Sequence, residues 1–277
     1  MAALVYDGLQ ACRSRFTLTL ASKVAIVTGA GGPGCGRAIA RRLAREGAAV
    51  IVNDIDEAGA QQTRSLMEAQ GGRAEVVLAN VALEMAAQKL IAHAETVFGG
   101  LDLVVNNASG PGYHPEAPFD HWIETIQTDL FGAIHLTLHS LDAMRRRGGG
   151  AIVNMGSVSA LGHGRKHAEV PGYDVAKAGL IRLTTTLGRL QRENIRVNCL
   201  VPGWIASPEV QAYVDSLTPE QRKQRGVPNT LISTDQIADA VVELATNETL
   251  AGRVMVWWND QPRRFIPAGD PGYERLE

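Results

Sequence analysis

The chain has 277 residues, of which 45% are hydrophobic, and a formal net charge of −2. That length and apolar content suit a folded α/β protein with a sizeable core and exclude disorder as its overall state. The near-balanced charge gives no electrostatic case for nucleic acid or an anionic membrane as the main partner.

The first twenty residues lack the continuous apolar run of a secretory signal, and residues 1–21 read as a peripheral extension. Lys23–Val27 is a short β-branched run that ends at Thr28-Gly29. A loop from Ala30 to Gly36 follows, then an apolar-periodic helix through Ile39, Leu43 and Ala44 that stops at Gly47. Further strands are expected at Ala49–Asn53, Arg73–Leu78, Leu101–Val105, Ala151–Met155, Ile195–Val201 and Gly252–Trp258, each reached through a helical stretch. Arg145-Arg146-Arg147 before Gly148 reads as a solvated helix C-terminus, where cations meet the negative end of the dipole. Near-continuous apolar strands alternating with helices predict a parallel sheet covered on both faces. Right-handed crossovers then give a doubly wound α/β fold of about seven strands in one domain, 22–258, followed by a Pro/Gly-rich tail, 259–277. No apolar stretch reaches the roughly 18 residues of a membrane span. Cys12, Cys35 and Cys199 lie far apart without metal-ligand spacing, which predicts a reducing, cytoplasmic setting, no disulfides and no metal.

Two local patterns carry chemistry. Thr28-Gly29-Ala30-Gly31-Gly32-Pro33-Gly34-Cys35-Gly36 joins the first strand to the first helix. Glycines there let the backbone approach a pyrophosphate, and the helix N-terminus presents free N–H groups to it. Asp54 closes the second strand, where a carboxylate accepts the ribose hydroxyls of an adenosine and repels a 2′-phosphate. This favours NAD over NADP. Arg37 and Arg41 read as solvent-facing residues of the first helix.

The second pattern is Tyr173-Asp174-Val175-Ala176-Lys177, which on a helix sets Tyr173 and Lys177 one turn apart on one face. A phenol titrates near pH 10, and moving it down by about three units needs roughly 4 kcal/mol in favour of phenolate. An ammonium about 4 Å away supplies on the order of 4 kcal/mol at an effective dielectric near 20, while burial opposes it. Lysine alone is barely sufficient, and a second positive charge such as an oxidised nicotinamide would help.

Together with Asn106-Asn107-Ala108-Ser109 after the fourth strand, Asn154-Met155-Gly156-Ser157 after the fifth and Pro202-Gly203 after the sixth, these motifs resemble the short-chain dehydrogenase/reductase family in its compact, single-domain form. The resemblance spans roughly residues 22 to 258 and implies a Rossmann-type fold. It implies an oxidoreductase acting on secondary alcohols and ketones, with Tyr173 as acid/base. Lys177 would lower the tyrosine's proton affinity and bind the nicotinamide ribose, and Ser157 would hold the substrate oxygen, with Ser159 as its alternative. The cofactor would lie along Gly29, Gly31, Gly34, Cys35, Gly36, Asp54, Asn80, Val81, Asn107 and Ala108. It would continue past Tyr173 and Lys177 to Pro202, Gly203 and Ile205, with Ser207 as a further hydroxyl partner. His163, His167 and Trp204 would border a small-molecule substrate, His163 and His167 from a segment that favours a polar or anionic one, and His114 would lie nearby. The stretch from Ser207 to Gly226 would form a mobile lid. Similar proteins form homodimers or homotetramers, here through helices near Asp120–Met144 and Gly172–Arg192.

Four positions depart from the family pattern. The phosphate turn is one residue longer than usual between Gly29 and Gly34, and Asn80 replaces an aspartate near the adenine. Asp129 stands where a relay asparagine is usual, able either to pair with Lys177 or to orient a relay water. The last strand runs Trp257-Trp258-Asn259-Asp260 in place of a glycine pair. Asn80 and Asp129 also support an alternative reading, a nucleotide-binding sensor or scaffold with little turnover.

Overall fold

The computed structural model describes residues 19–111, 118–161 and 171–269. Its centre is one eight-stranded sheet in the order β3-β2-β1-β4-β5-β6-β7-β8. The strands are β1 (Val24–Thr28), β2 (Ala49–Asp54), β3 (Arg73–Leu78), β4 (Leu103–Asn106), β5 (Gly150–Met155), β6 (Ile195–Pro202), β7 (Val254–Trp257) and β8 (Arg264–Phe265). The pairings from β3 through β7 are all parallel, while β8 pairs antiparallel to β7 through Met255 with Phe265 and Val256 with Arg264. Each expected strand therefore forms in place, and an eighth is added within the tail. Two residues are too short to show any alternation, so sequence periodicity could not reveal β8.

The helices are α1 (Cys35–Arg45), α2 (Glu57–Glu68), α3 (Glu84–Phe98), α4 (Phe119–Thr125), α5 (Gly132–Arg146), α6 (Pro171–Thr186), α7 (Pro208–Ser216), α8 (Pro219–Gln224) and α9 (Thr234–Thr246). Strand alternation explains why the strands read as unbroken apolar runs. Ala25 and Val27 of β1 join Ile39 and Leu43 of α1 and Val241 of α9 in one core. Val24 and Ile26 of the same strand join Leu90 of α3 and Leu136 of α5 in the other. Both faces of the sheet are covered, so β1, β2, β4 and β5 are almost wholly buried, while Arg73 of the edge strand β3 and Arg264 of the edge strand β8 reach solvent. No helix among the described residues is long and apolar enough to cross a membrane.

The sheet order reverses between β1 and β4, the place in an open α/β sheet where a crevice forms beyond the strand C-termini. The opposite edge is closed by charge. Asp102, almost fully buried, accepts from Lys23 Nζ at 3.0 Å, from the Val24 amide at 3.0 Å and from Arg147 at 3.1 Å. The arginine run at the end of α5 is thus exposed but not merely solvated: Arg145 pairs with Glu193, Arg146 with Glu95 and Arg147 with Asp102. A recess of about 520 Å³ at this edge is lined by Lys23, Asp102, Arg147 and Arg196. It lies at the end of the sheet remote from the crevice.

Asp102→Ala leaves two cations and one buried amide without their acceptor. Because Lys23 and Arg147 are both partly solvated, the expected loss is about 2–3 kcal/mol, below the range for a fully buried pair. Urea unfolding followed by circular dichroism measures it.

Candidate functional site

The loop after β1 is held by its neighbours before any ligand is considered. Thr28 Oγ1 accepts from the Asn107 and Ala108 amides, each at 3.0 Å, and the Asn107 side-chain amide donates to the Thr28 and Gly29 carbonyls. Thr63, fully buried on α2, donates to the Ala30 carbonyl at 2.7 Å. Gly36 is sterically required, since a Cβ there would sit 2.1 Å from the Gly29 carbonyl oxygen. Thr63 is a loop anchor that the sequence did not single out, because it belongs to no spaced pattern, and Thr28, which opens the glycine motif, was given no anchoring role there.

The turn fits an anionic group. Gly34 caps α1 without a side-chain hydrogen bond, and the first turn of α1 carries no acid. A Cβ at Gly32 would meet nothing within 4 Å, and one at Gly34 only the Ser207 Cβ at 4.0 Å. Free N–H groups at the positive end of an eleven-residue helix, with open space before them, are what a phosphate needs. Asp54 sits beside this turn, but it also has structural duties. Its Oδ2 accepts the Gly31 amide at 2.7 Å, and its Oδ1 accepts the Ile55 and Asp56 amides. With about four lone-pair sites, the carboxylate keeps some acceptor capacity for a hydroxyl. Arg37 does not face solvent as expected: its guanidinium donates to Thr63 Oγ1 and to the Gly31 and Gly59 carbonyls. Cys35 opens α1, and burial pushes its thiol up to about 11, which makes it a poor nucleophile. Asn80 is exposed and caps its own turn through Ala82, while Val81 is buried against Gly132 and shares a narrow crevice with Thr28, Ala108 and Asp129.

The second half of the site is built by α6. Its approach depends on Gly172, where a Cβ would lie 2.6 Å from Trp122 Cα on α4. The close packing brings α6 onto a π-helical stretch, Ile126–Phe131, that links α4 to α5. Here Asp129 meets Lys177 at 2.9 Å, with the two side chains 0% and 4% exposed. Asp129 Oδ2 also accepts from Ser109 Oγ at 2.8 Å, and Oδ1 accepts the Gly110 amide at 2.7 Å. Burial pulls the Lys177 proton affinity down, and the Asp129 and Tyr173 charges raise it, with a net rise. Lys177 Nζ lies 5.2 Å from the Tyr173 ring centroid, so the one-turn spacing does bring the pair together. Ser157, in the turn after β5, accepts from Ser159 Oγ at 2.9 Å and from the Ser159 amide. A hydroxyl that already accepts from its neighbour is free to donate its own proton outward. Beneath it, Asn106, Asn154 and Thr184 form a buried chain of hydrogen bonds across β4, β5 and α6.

A family model described as short chain dehydrogenase matches residues 23–217. The chain belongs to the short-chain dehydrogenase family. It is 34% identical to an L-rhamnose 1-dehydrogenase (NAD(P)(+)) of Azotobacter vinelandii, over 83% of this chain and 92% of that one. It is also 34% identical to a cis-4-hydroxycyclohexanecarboxylate dehydrogenase of Sinomonas cyclohexanicum, over 82% and 90%. Among solved structures it superimposes on a 7α-hydroxysteroid dehydrogenase complexed with NADH and 7-oxo glycochenodeoxycholic acid. The TM-score is 0.77 at 29% identity, covering 87% of this chain and 94% of that one.

In this short-chain dehydrogenase the segment after β6 is pinned by the unusual end of β7. Asn259 accepts the Trp204 amide at 2.7 Å and donates to the Trp204 and Thr230 carbonyls, each at 2.9 Å. Asp260 accepts the Asn229 and Thr230 amides. Both roots of α7 and α8 are therefore tied to two adjacent residues that stand where a glycine pair was expected. Trp204 stacks on Tyr213 of α7, and Arg225 reaches the Tyr213 hydroxyl. Ile205 bridges to Ile232, and Ser207 caps α7 by accepting the Val210 amide. The stretch expected as a lid consists of two short helices, α7 and α8, with a break at Leu217. His114, His163 and His167 lie outside the described residues.

Asn259→Ala removes three hydrogen bonds at both lid roots, at a cost of about 1–3 kcal/mol of local stability. Hydrogen exchange should quicken at Trp204 and through 208–226 while α1 and β1 keep their protection.

Proposed function

We propose that the chain is an NAD-dependent oxidoreductase that interconverts a secondary alcohol and a ketone, with Tyr173 as the acid/base. The observation that carries this reading is the Tyr173–Lys177 pair standing at the same edge of the sheet as an uncapped, open helix N-terminus. Residues 22–258 are the cofactor-binding and catalytic unit. Gly31, Gly34, Cys35 and Gly36 would hold the pyrophosphate, and Asp54 would take the adenosine ribose with the acceptor capacity left to it. A 2′-phosphate there would meet the same carboxylate, which favours NAD. Asn80 would stand near the adenine, Val81, Asn107 and Ala108 would line the cofactor, and Pro202, Gly203 and Ile205 would hold the carboxamide. The nicotinamide, when bound, supplies or accepts the hydride.

The chain's own groups manage the proton. Ser157 donates to the substrate oxygen and fixes it beside Tyr173. In oxidation Tyr173 takes the hydroxyl proton; in reduction it returns one to the carbonyl oxygen. Lys177 lies beside the phenol ring and holds positive charge next to it, which is compatible with a further contact to the nicotinamide ribose. Ser159 and Trp204 border the substrate, and Trp204, stacked on Tyr213, offers a flat apolar wall. The free thiols Cys35 and Cys199 suit a reducing, cytoplasmic setting.

Tyr173→Phe should lower turnover about 10²- to 10⁴-fold while leaving NADH binding within a few-fold. A titration with both nucleotides followed by an alcohol and ketone panel tests this. Turnover unchanged in the variant would overturn the acid/base role, and tighter binding of NADPH than NADH would overturn the cofactor choice.

We also assign the chain a homo-oligomeric state built on α4, α5 and α6. Phe119, Ile123, Leu138 and Val175 are exposed apolar side chains on these helices, and Phe131 is another on the π-helical stretch between α4 and α5. Sedimentation should show a dimer or tetramer, and Leu138→Glu should shift it toward monomer with the fold intact. A wild-type monomer at micromolar concentration would sink this assignment.

A further inference from the structure

We infer that Asp129 is a charge-setting positioning residue: its buried carboxylate makes the Tyr173–Lys177 pair hold its protons to higher pH and so biases the site toward proton donation. The inference deepens the oxidoreductase reading, but it rests on geometry that stands whether or not a substrate is ever found. Asp129 is fully buried, and each oxygen is engaged: Oδ2 by Lys177 Nζ and Ser109 Oγ, Oδ1 by the Gly110 amide. Three donors, one of them cationic, describe an ionised carboxylate. The carboxylate to ammonium and ammonium to ring distances place the negative charge within about 8 Å of the phenol ring.

At that range, in a buried site, the carboxylate cancels much of the field that Lys177 exerts on Tyr173. Lys177 is therefore committed to an ion pair before it acts on the phenol. The π-helical turn makes this possible. It sets Asp129 opposite α6, and the close approach at Gly172 brings α6 down onto it. A neutral residue at 129 would leave the lysine's field uncompensated. Removing one negative charge makes every proton in the cluster easier to lose, so the first deprotonation, which belongs to the coupled pair, moves toward acid.

The other titratable groups facing the pair do not replace this effect. Asp174 neighbours Tyr173 on α6 itself. Cys35 on α1 and Cys199 on β6 both sense Lys177, but burial pushes their thiols up to about 11 and about 12, so they stay neutral across the working range. Asp120, His121 and Glu124 belong to α4, which packs on α6; both acids are exposed to solvent. Asp129 is the buried acid in direct contact with the lysine.

The test compares wild type, Asp129→Asn and Asp129→Ser. Each protein, with and without saturating NAD, is titrated by the ultraviolet absorbance of tyrosinate, with Tyr173→Phe in the same background subtracted. Both neutral variants should show the Tyr173 transition displaced toward acid by about one pH unit. The alkaline rise of kcat/KM for any alcohol found in the panel should move with it. Asp129→Ser covers the case in which asparagine fits poorly beside the ammonium. Ser109→Ala loosens the same cluster without removing charge and must not displace the transition toward acid. An unmoved or alkaline-shifted transition in both neutral variants overturns the inference, as does an acid shift of equal size in Ser109→Ala. The absorbance titration needs no turnover. A panel without a substrate therefore defeats the oxidoreductase reading alone, and an unmoved titration defeats the inference alone.

Discussion

A buried ammonium needs a counter-charge, and in this protein that need organises the site. Lys177 sits almost fully out of water on α6, and desolvation is the largest force acting on its proton. Asp129 answers it from a π-helical turn, and Ser109 and Gly110 hold Asp129 in turn. The exit of β4, the junction of α4 with α5 and the start of α6 are thereby tied through one carboxylate. An ion pair of this kind adds little net stability, because desolvation of both partners offsets their attraction. Its value is geometric. It fixes which way the ammonium points, and so what the neighbouring phenol senses.

The same logic appears at the other end of the sheet with a different outcome. Asp102 is also a buried carboxylate with two cations, but its partners are half in water and its third donor is the first amide of β1. It closes the strand N-termini, and the recess beside it is lined by Lys23, Arg147 and Arg196 rather than by the glycine turn, the serine pair or Tyr173. The residues proposed for chemistry gather at the strand C-termini, where the order reversal between β1 and β4 opens a crevice. The anion-accepting turn, the serine pair at 157 and 159 and the tyrosine–lysine pair all belong to that edge.

Around the crevice, polar side chains do much of the work that backbone pairing does inside the sheet. Thr28 and Asn107 join the exits of β1 and β4, Thr63 and Arg37 brace the phosphate turn from α2 and α1, and Asn259 with Asp260 holds the roots of α7 and α8. These residues bridge segments far apart in the chain and close in space. Thr28, Asn107, Asn259 and Asp260 stood out as members of motifs or departures from them, but a reading that depends on spacing could not name their partners, and Thr63 belonged to no pattern. Arg37 shows the cost of that dependence. Its helical position predicts a solvated side chain, yet the tight turn leaves carbonyls within its reach.

The order of strands and helices, the glycine turn, and the pairing of Tyr173 with Lys177 were all determined by the sequence, because each rests on local spacing along one strand, one turn or one helix. The eighth strand was not, since two residues carry no period. Nor was the choice open to Asp129, which the chain left between pairing with the lysine and orienting a water. Only tertiary packing decided it: the close contact of Gly172 with Trp122 seats α6 on α4 and on the π turn that follows, where a buried amine and a buried carboxylate meet at 2.9 Å.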